Sequence, residues 1–555
     1  MDQLKSILKE AINNLYKLDV EIVLSRPDSR FGDFASNVAM QLAGSLNKNP
    51  KELAEQISAE ILTNSSIFEA TVAGPGFLNI RLADNAIVDL LKSSTKIQQT
   101  LKDKVVVAEY SDPNPFKVLH AGHLYTSIVG DVVANVLQAA GANVHRVNFG
   151  GDVGLHVGKT MWAILQELGG ENPDKLQSVD KESRLEWLST RYVEGNEAYE
   201  TNEEAKQLII VLNKKVYELH TAKDHESTFG QIYWTCRTWS YEGFDKLYEQ
   251  LQIQPFEKYM PESEVTPLGI EIVNKGLQDN IFEKSDGAVV FKGEEFGLHT
   301  RVFMNSNGLP TYEAKDLGLA ATKWQDYKFD QSFIITANDI EQYMKVVMKV
   351  LSNFYPEATE RTTHLTHGVI KLPGGVKMSS RKGNILRAVD ILEAASSANQ
   401  EQSGKDDKSV VLGAVKYAFL KQRIGSDIIY DPAESVSVAG NSGPYLQYAY
   451  ARASSILQKA TQKAESPTDF TDHERTLALK VSEFPEVISV VLYELMPHHI
   501  CTYLYELTQV FNRFYENEKV IGSDREAQKV GLLKTYAEVL KTGLELLGIQ
   551  APESM

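Results

Sequence analysis

Apolar residues recur at helical spacing through Leu4, Ile7, Leu8, Ala11, Ile12 and Leu15, so the first element predicted is an amphipathic helix. Glu21 to Leu24 reads as a strand, Phe31-Gly32-Asp33 as a turn, and Val38, Leu42 and Leu46 as the stripe of a second helix. Thr71 to Leu82 reads as a strand interrupted by Gly74-Pro75-Gly76. These elements predict a small α+β domain over residues 1–103, closed by the polar stretch Lys92 to Lys104, which reads as a linker.

From residue 104 strand and helix alternate, the pattern of a doubly wound α/β fold. Val105 to Ala108 is a short apolar, β-branched run, and Asp112-Pro113-Asn114-Pro115 breaks it because two prolines forbid helix. A helix is predicted from near His120, with Leu124, Ile128, Val132, Val136 and Ala140 on one apolar face and Gly141 as its stop. Asn143 to Phe149 is the next strand, followed by a turn and a helix beginning near Lys159. Charge-rich helices such as Arg184 to Tyr192 and Glu203 to His220 make residues 170–285 read as a solvated helical insertion. Gly287 to Phe291 and Arg301 to Met304 resume strands of the core, a helix starts at Tyr312 after the turn Gly308-Leu309-Pro310, and Phe333 to Thr336 is a further strand. This α/β domain is expected over 104–400. Beyond it the apolar period is helical in Val411 to Leu420, Tyr445 to Leu457, Leu477 to Phe484, Val487 to Leu495, Thr502 to Phe514 and Val530 to Leu547, which predicts an α-helical bundle over 401–555.

Composition adds limits. A chain of 555 residues exceeds one compact core, in keeping with three domains. Hydrophobic content of 43% and charged content of 24% are those of a soluble globular protein, with no apolar run long enough to span a bilayer. Met1 to Glu10 is amphipathic and mixed in charge, unlike a signal peptide. Cys236 and Cys501 are the only cysteines, which excludes a cysteine-rich zinc site and leads us to expect a reducing, cytoplasmic setting. A net charge of −17 argues against general nucleic-acid binding, so any such surface must be a local basic patch whose binding weakens with salt.

Two stretches carry chemistry. Strand, loop and helix N-terminus at Glu109 to His123 form the geometry that gathers phosphate, because free backbone N–H groups and the positive helix end point at the loop. His120 and His123 flank Gly122 there and can donate to phosphate oxygens. Val376 to Asn384 reads V-K-M-S-S-R-K-G-N, a loop whose Lys377, Arg381 and Lys382 suit a clamp over triphosphate. Each stretch alone has a plainer reading, as surface histidines and as a solvated charged loop. Gly154 to Thr160 ends in G-K-T like a P-loop, but the first glycine of that motif should stand at Val153, so the loop is one residue short.

In this order the two stretches resemble the H-I-G-H and K-M-S-K-S signatures of class I aminoacyl-tRNA synthetases. E-Y-S-D-P-N-P at Glu109 to Pro115, Y-E-A-K-D at Tyr312 to Asp316, M-S-S-R-K-G-N, G-D-F-A-S-N-V-A-M-Q-L-A at Gly32 to Ala43, G-P-G-F-L-N-I at Gly74 to Ile80 and G-N-S-G-P-Y-L-Q-Y-A-Y-A-R at Gly440 to Arg452 resemble arginyl-tRNA synthetases, over nearly the whole chain. The resemblance implies a Rossmann-type class I core that makes arginyl-adenylate from ATP and L-arginine and passes arginine to tRNA(Arg). It implies His120, His123, Lys117 and Lys377 as catalytic groups, and Gly122, Met378, Ser379, Ser380 and Arg381 beside them on ATP. Glu109, Asn114, Tyr312, Asp316 and Asn338 fall where the family binds arginine, with Gln342 a looser match. Phe77 and Asn79 fall in the domain that touches the tRNA elbow, where a stacking ring and a core ring are equally open readings for Phe77. Tyr445, Tyr448 and Arg452 fall in the anticodon-reading bundle, with packing between helices as their alternative; Tyr450 belongs to the same cluster. Lys529-Val530-Gly531-Leu532 lacks the arginine usual before a leucine there, and Ser380 stands where the signature has its second lysine. Lys117, with Lys382 as runner-up, is the expected replacement. Magnesium on the phosphates without a dedicated protein cage, and a monomer, complete the expectation. The competing classes are a P-loop NTPase and a non-catalytic tRNA-binding relative.

Overall fold

The structure, a computed structural model, describes residues 2–63, 68–117, 119–373 and 386–555. The N-terminal domain packs α1 (Asp2–Tyr16), α2 (Val38–Leu46), α3 (Pro50–Thr63) and α4 (Asp84–Ser93) with an antiparallel sheet of β1 (Phe34–Ser36), β2 (Phe68–Ala73) and β3 (Phe77–Leu82), ordered β1-β3-β2. Glu21 to Leu24 is not a strand: only Ile22 is buried, and the segment meets the sheet at one bridge, Ser25 to Ala35. An apolar run cannot become a ladder without a neighbour along its length.

The central sheet is wholly parallel. Its order is β11 (Thr362–His367), β10 (Gln331–Ala337), β4 (Val105–Glu109), β5 (Asn143–Gly150) and β6 (Lys258–Pro261). Chain order reverses at β4, and the strands' carboxyl ends meet on one edge: Glu109 lies opposite Ile334 and Val147, and Gly150 opposite Pro261. That edge at a reversal of strand order is where open α/β sheets bind ligands.

Helix α5 (Ala121–Ala139) follows β4 and is buried on every side rather than along one apolar face. The sheet covers one flank; the bundle helices α14 (Ala388–Ser403), α15 (Lys408–Leu420), α19 (Phe484–Glu494) and α21 (Glu526–Leu546) cover the rest. Gly130 allows the helix to lie against Tyr110, since a Cβ there would stand 2.1 Å from that ring's Cγ. The bundle thus begins by residue 388 and shares its apolar core with α5 and the N-terminal domain. It is completed by α16 (Pro432–Ser435), α17 (Gly443–Gln458), α18 (Asp472–Val481) and α20 (His498–Asn517), and by β13 (Ile428–Ile429), paired with β12 (Ile370–Lys371).

Three expectations need correction. Residues 170–285 are not a solvated insertion. Helices α6 (Leu155–Leu168), α7 (Arg184–Thr201), α8 (Glu203–Ala222) and α9 (Thr228–Gln250) share their own core, β6 belongs to the central sheet, and α10 (Glu262–Gln278) packs on α11 (Tyr312–Tyr327). In α8 the buried residues Ile209, Val216 and Leu219 form a stripe narrow enough to be hidden among charges. Second, β8 (Ala288–Phe291) pairs antiparallel with β7 (Glu283–Ser285) on one side and β9 (Arg301–Met304) on the other in a separate small sheet, because short β-branched runs do not specify their partner. That sheet packs with α10, α11 and α12 (Glu341–Leu351); α13 (Pro356–Glu360) leads into β11. Third, α6 starts at Leu155 rather than Lys159.

Two ion-pair clusters join the N-terminal domain to the bundle: Arg26 pairs with Glu486 at 3.0 Å, and a second is centred on Arg475. Arg475 on α18 donates to Asp33 at 2.6 Å, Asp84 at 2.8 Å and the Leu82 carbonyl at 2.7 Å, with only 11% of its side chain exposed. Arg475→Met leaves Asp33 buried and unpaired, at a cost of about 3 kcal/mol. Limited proteolysis should then release a fragment near residue 100 at temperatures where the parent chain is intact; equal resistance of both proteins would show that the cluster does not hold the domains together.

Candidate active site

The loop after β4 starts with two left-handed residues, Ser111 (φ 74°) and Asp112 (φ 50°), and carries the chain across the carboxyl edge of the sheet to α5. His120 caps α5. Its Nδ1 accepts from the Gly122 N–H at 3.1 Å, while His123 Nδ1 accepts from the His120 N–H at 3.2 Å, and the rings stack at 3.8 Å. A ring whose Nδ1 accepts must, when neutral, carry its proton on Nε2. Burial keeps both neutral: it lowers His120 to about 4, and it pushes His123 well below the ordinary value with help from His120 and Lys117. Two Nε2–H donors thus stand at a helix N-terminus, an arrangement suited to phosphate oxygens.

Lys117 reaches the same space. Its ammonium lies 5.4 Å from the Tyr192 ring centre and forms no ion pair among the described residues; burial lowers its pKa, opposed by the charge of Glu262. Lys377, Met378, Ser379, Ser380, Arg381 and Lys382 lie outside the described residues.

Beside this donor cluster is an acidic pocket. Asp316 on α11 is half-buried, and its Oδ2 accepts from the Tyr343 hydroxyl of α12. Burial raises Asp316 to about 7; the Tyr343 bond lowers it, while Glu109, Glu262 and Glu313 raise it further. Asp112 is also raised well above the carboxylate range, by burial first and by Glu109 next, although it accepts from the Phe149 N–H at 2.8 Å. Glu109 sits at the strand end as expected, but it is not an open ligand: Lys323, one side of α11 with Asp316, holds its Oε2. Glu262 at the end of β6 is paired with Lys315 at 2.5 Å. Asn114 Oδ1 accepts from the Gly151 N–H at 2.9 Å, which leaves its amide N–H donors for a ligand. Tyr312 is exposed at the mouth, and Asn338 and Gln342 are exposed just beyond β10.

The spacing argument missed Lys323, Tyr343, Asp112 and His367. Lys323 lies seven residues after Asp316, a helical repeat that places both on one side of α11. His367 ends β11, and its charge bears on both signature histidines. The P-loop reading fails on geometry: residues 155–160 are helix, and Lys159 donates to Asn196 of α7 at 2.8 Å.

The tRNA candidates lie elsewhere. Phe77 is an exposed ring on β3, 42% accessible, whereas Asn79 is largely buried and stands opposite Ala35 and Thr71 in the sheet. Tyr445 accepts from Asn512 at 2.9 Å, and Arg452 donates to the same side chain at 3.2 Å. Arg452 also lies over the Tyr448 and Tyr515 rings, at 4.8 and 5.4 Å. Tyr448, Arg452, Tyr515, Lys519 and Met555 line a cleft of about 730 Å³. Tyr450 is buried in the bundle, and Lys529 is buried against Glu518 at 2.7 Å.

Capping and ligand binding by His120 can be separated. Asparagine keeps an acceptor for the Gly122 N–H but lacks the Nε2 donor, whereas alanine loses both. His120→Asn should unfold near the parent temperature and His120→Ala about 1 kcal/mol less stable, with ATP-dependent turnover falling in both; normal turnover in the asparagine variant would exclude the donor role.

Comparisons with known proteins agree with this architecture. The family described as class I tRNA synthetases (R), catalytic domain, matches residues 86–431. The arginyl tRNA synthetase N-terminal domain matches 2–82, and the DALR anticodon binding domain matches 446–555. An arginine–tRNA ligase of Flavobacterium psychrophilum is 30% identical, over 91% of this chain and 90% of its own. One of Porphyromonas gingivalis is 28% identical over the whole of both chains. In fold, the Thermus thermophilus arginyl-tRNA synthetase superposes with a TM-score of 0.79 at 23% identity, covering all of both chains. Among the described residues no helix is long and apolar enough to cross a membrane. The parallel sheet with its histidine-capped helix, the domain before it and the bundle after it are therefore those of a class I synthetase, and the chain belongs to the arginyl-tRNA synthetase family.

Proposed function

We infer that this arginine–tRNA ligase recognises its amino acid by completing an unbalanced charge. The observation that carries this is Asp316: a half-buried carboxyl raised to about 7, beside Glu109 and Asp112, where Lys323 is already committed to Glu109. A guanidinium supplies the absent positive charge, and a planar fork suits a carboxylate that Tyr343 holds in one orientation. Asn114 donates to the substrate's carboxylate end, and Tyr312 and Asn338 border the entrance.

The substrate carboxylate oxygen then attacks the α-phosphorus of ATP, the bond from that phosphorus to the bridging oxygen breaks, and pyrophosphate leaves with its electrons. A tRNA ribose hydroxyl displaces AMP in the second step. His120 and His123 hold phosphate oxygens through Nε2–H, and Lys117 meets the charge that develops between the α- and β-phosphates, the place left neutral by Ser380. Gly122 lies along the nucleotide, and Lys377, Met378, Ser379 and Arg381, outside the described residues, are assigned to ATP by the family signature alone. Magnesium travels on the phosphates; imidazole N–H and ammonium groups meet phosphate oxygens, not a metal. Phe77 stacks on an exposed base of the tRNA elbow, and the cleft of Tyr448 and Arg452, bordered by Tyr445, takes an anticodon base. The described site residues all come from one chain, which fits a monomer, and the buried free cysteines fit the cytoplasm.

The sign of the pH dependence follows from the raised carboxyl. In the free protein Asp316 holds its proton up to about pH 7, and a guanidinium binds the ionised form, so binding releases that proton. Apparent arginine affinity should level off above about pH 7 and fall toward tenfold per unit below it. For the ligand-free chain this group's stability contribution is full below about pH 4, the unfolded value, and is lost as pH rises through about 7. Arginine-dependent exchange of pyrophosphate into ATP, run with and without tRNA, reads the effect. Asp316→Asn should lose on the order of a hundredfold in arginine affinity and flatten the profile. A KM for arginine equal at pH 6 and 8 in the parent would remove Asp316 from the pocket. In the same assay Lys117→Ala should cut exchange severely and Ser380→Lys should restore part of it; normal exchange by Lys117→Ala would pass its role to Lys382 or Arg381.

A further inference from the structure

Eight residues beyond His123, about 12 Å along the axis of α5, lies a buried polar junction that the reaction does not use. Asp131 accepts from the Gln254 N–H at 3.0 Å and from Asn135 Nδ2 at 3.1 Å, with Arg146 Nε at 3.8 Å. From the bundle, α15 sends Lys416 into the same junction, 1% exposed. Its ammonium donates to the Gly548 carbonyl at 2.6 Å and reaches the Gln252 carbonyl at 3.5 Å. Burial lowers Lys416 to about 8, and Asp131 is the carboxylate whose charge opposes that shift. Asp131 is raised, again by burial first, with Lys416 opposing.

Gly548 threads between the two. Its φ is +64°, and a Cβ there would fall 2.7 Å from Lys416 Nζ and 3.7 Å from Asp131 Oδ2. Two residues on, the Gln550 carbonyl accepts from Gln447 Nε2 at 2.9 Å, and Gln447 is fully buried on α17, the helix of Tyr448 and Arg452. Met555 then lines the cleft those two residues form. Residues 548–555 therefore run from the back of the catalytic helix to the cleft.

We propose that residues 548–555 are a strap that couples occupancy of the Tyr448–Arg452 cleft by a tRNA nucleotide to the position of α5, with Lys416 as the positioning residue at its catalytic end. The proposal rests on the reading of that cleft as an anticodon-base site. A buried ammonium whose near acceptor is one carbonyl cannot lose it without exposing an unpaired charge, so displacement of Gly548 moves Lys416, then Asp131 and α5. His120 and His123 sit at the other end of that helix and shift against ATP.

The test compares charging of a full tRNA(Arg) transcript with charging of an acceptor-stem minihelix that lacks the anticodon arm. Lys416→Met should lower kcat on the full transcript about tenfold, keep its KM within about twofold, and leave minihelix charging nearly unchanged. Tyr448→Ala should abolish the preference for the full transcript, and combined with Lys416→Met it should lose no more kcat than Lys416→Met alone. Asp131→Asn with Lys416→Met removes the carboxylate and the ammonium together, with Arg146 still held by Asn135 and Gln138, and should behave like Lys416→Met. The strap is overturned if Lys416→Met slows both substrates equally, if the effects of Lys416→Met and Tyr448→Ala multiply, or if the neutral pair restores kcat. If Tyr448→Ala leaves the preference for the full transcript intact, the cleft reading fails, and the strap fails with it. If Tyr448→Ala abolishes the preference and Lys416→Met leaves kcat unchanged, the strap alone fails.

Discussion

The burial of α5 is the constraint on which the rest of the structure depends. One helix closes the central sheet on one flank and serves as the inner wall of the bundle on the others, so its nineteen residues have little freedom of position. Only its N-terminus opens toward the sheet's carboxyl edge. The four leading N–H groups of a helix need partners, and the imidazoles of His120 and His123 engage two of the backbone donors there through Nδ1. That engagement fixes the tautomer and leaves both Nε2–H groups directed outward. Capping, ring stacking and donor placement thus come from one local arrangement, and the burial that stabilises it also holds the rings neutral.

Beside this donor cluster the electrostatic character reverses. Lys117 and the two imidazole donors form one cluster, proposed above to meet phosphate, while Asp316, Asp112 and Glu109 form an acidic one, proposed to meet the amino-acid side chain. Buried like charges cannot all ionise without cost. Lys323 relieves Glu109, Lys315 relieves Glu262, and Asp316 keeps only a neutral hydroxyl partner.

Much of this was legible in the sequence where local physics decides the outcome. Strand β4, the proline-broken loop, the start of α5 and the bundle helices follow from period and breakers. The failures have a common cause in tertiary context. Glu21 to Leu24 has strand-like residues but lacks a neighbour, β8 and β9 join a sheet that their composition cannot name, and α8 hides its buried stripe among charges. At the site, motif spacing placed Asp316 and His120 on the right elements but could not tell that Glu109 is already bound by Lys323, because those residues are 214 apart in the chain. The phosphate-loop likeness at Gly154 to Thr160 dissolved for the opposite reason: helix starts directly after Gly154, so no loop remains to cradle an anion.

If Asp316 is the guanidinium partner, as proposed, the same imbalance would account for selectivity among amino acids. A neutral urea in place of the guanidinium has nearly its shape but leaves Asp316 with the choice of staying protonated or ionising unpaired in a buried pocket. A site built around a buried polar partner rejects an analogue lacking it far more strongly than an apolar pocket rejects a change of size, by factors of about 10⁴–10⁵ in favourable cases. Lysine fails differently. Its ammonium carries the charge, but it is a strongly hydrated point at the end of a flexible stem and cannot present two parallel donors to a carboxylate oriented by Tyr343. Lys323 is already matched to Glu109 and Lys315 to Glu262, so among the described residues the point charges of the acidic cluster are taken. What remains beside Asp316 has the requirements of a fork: charge, planarity and two donors at once.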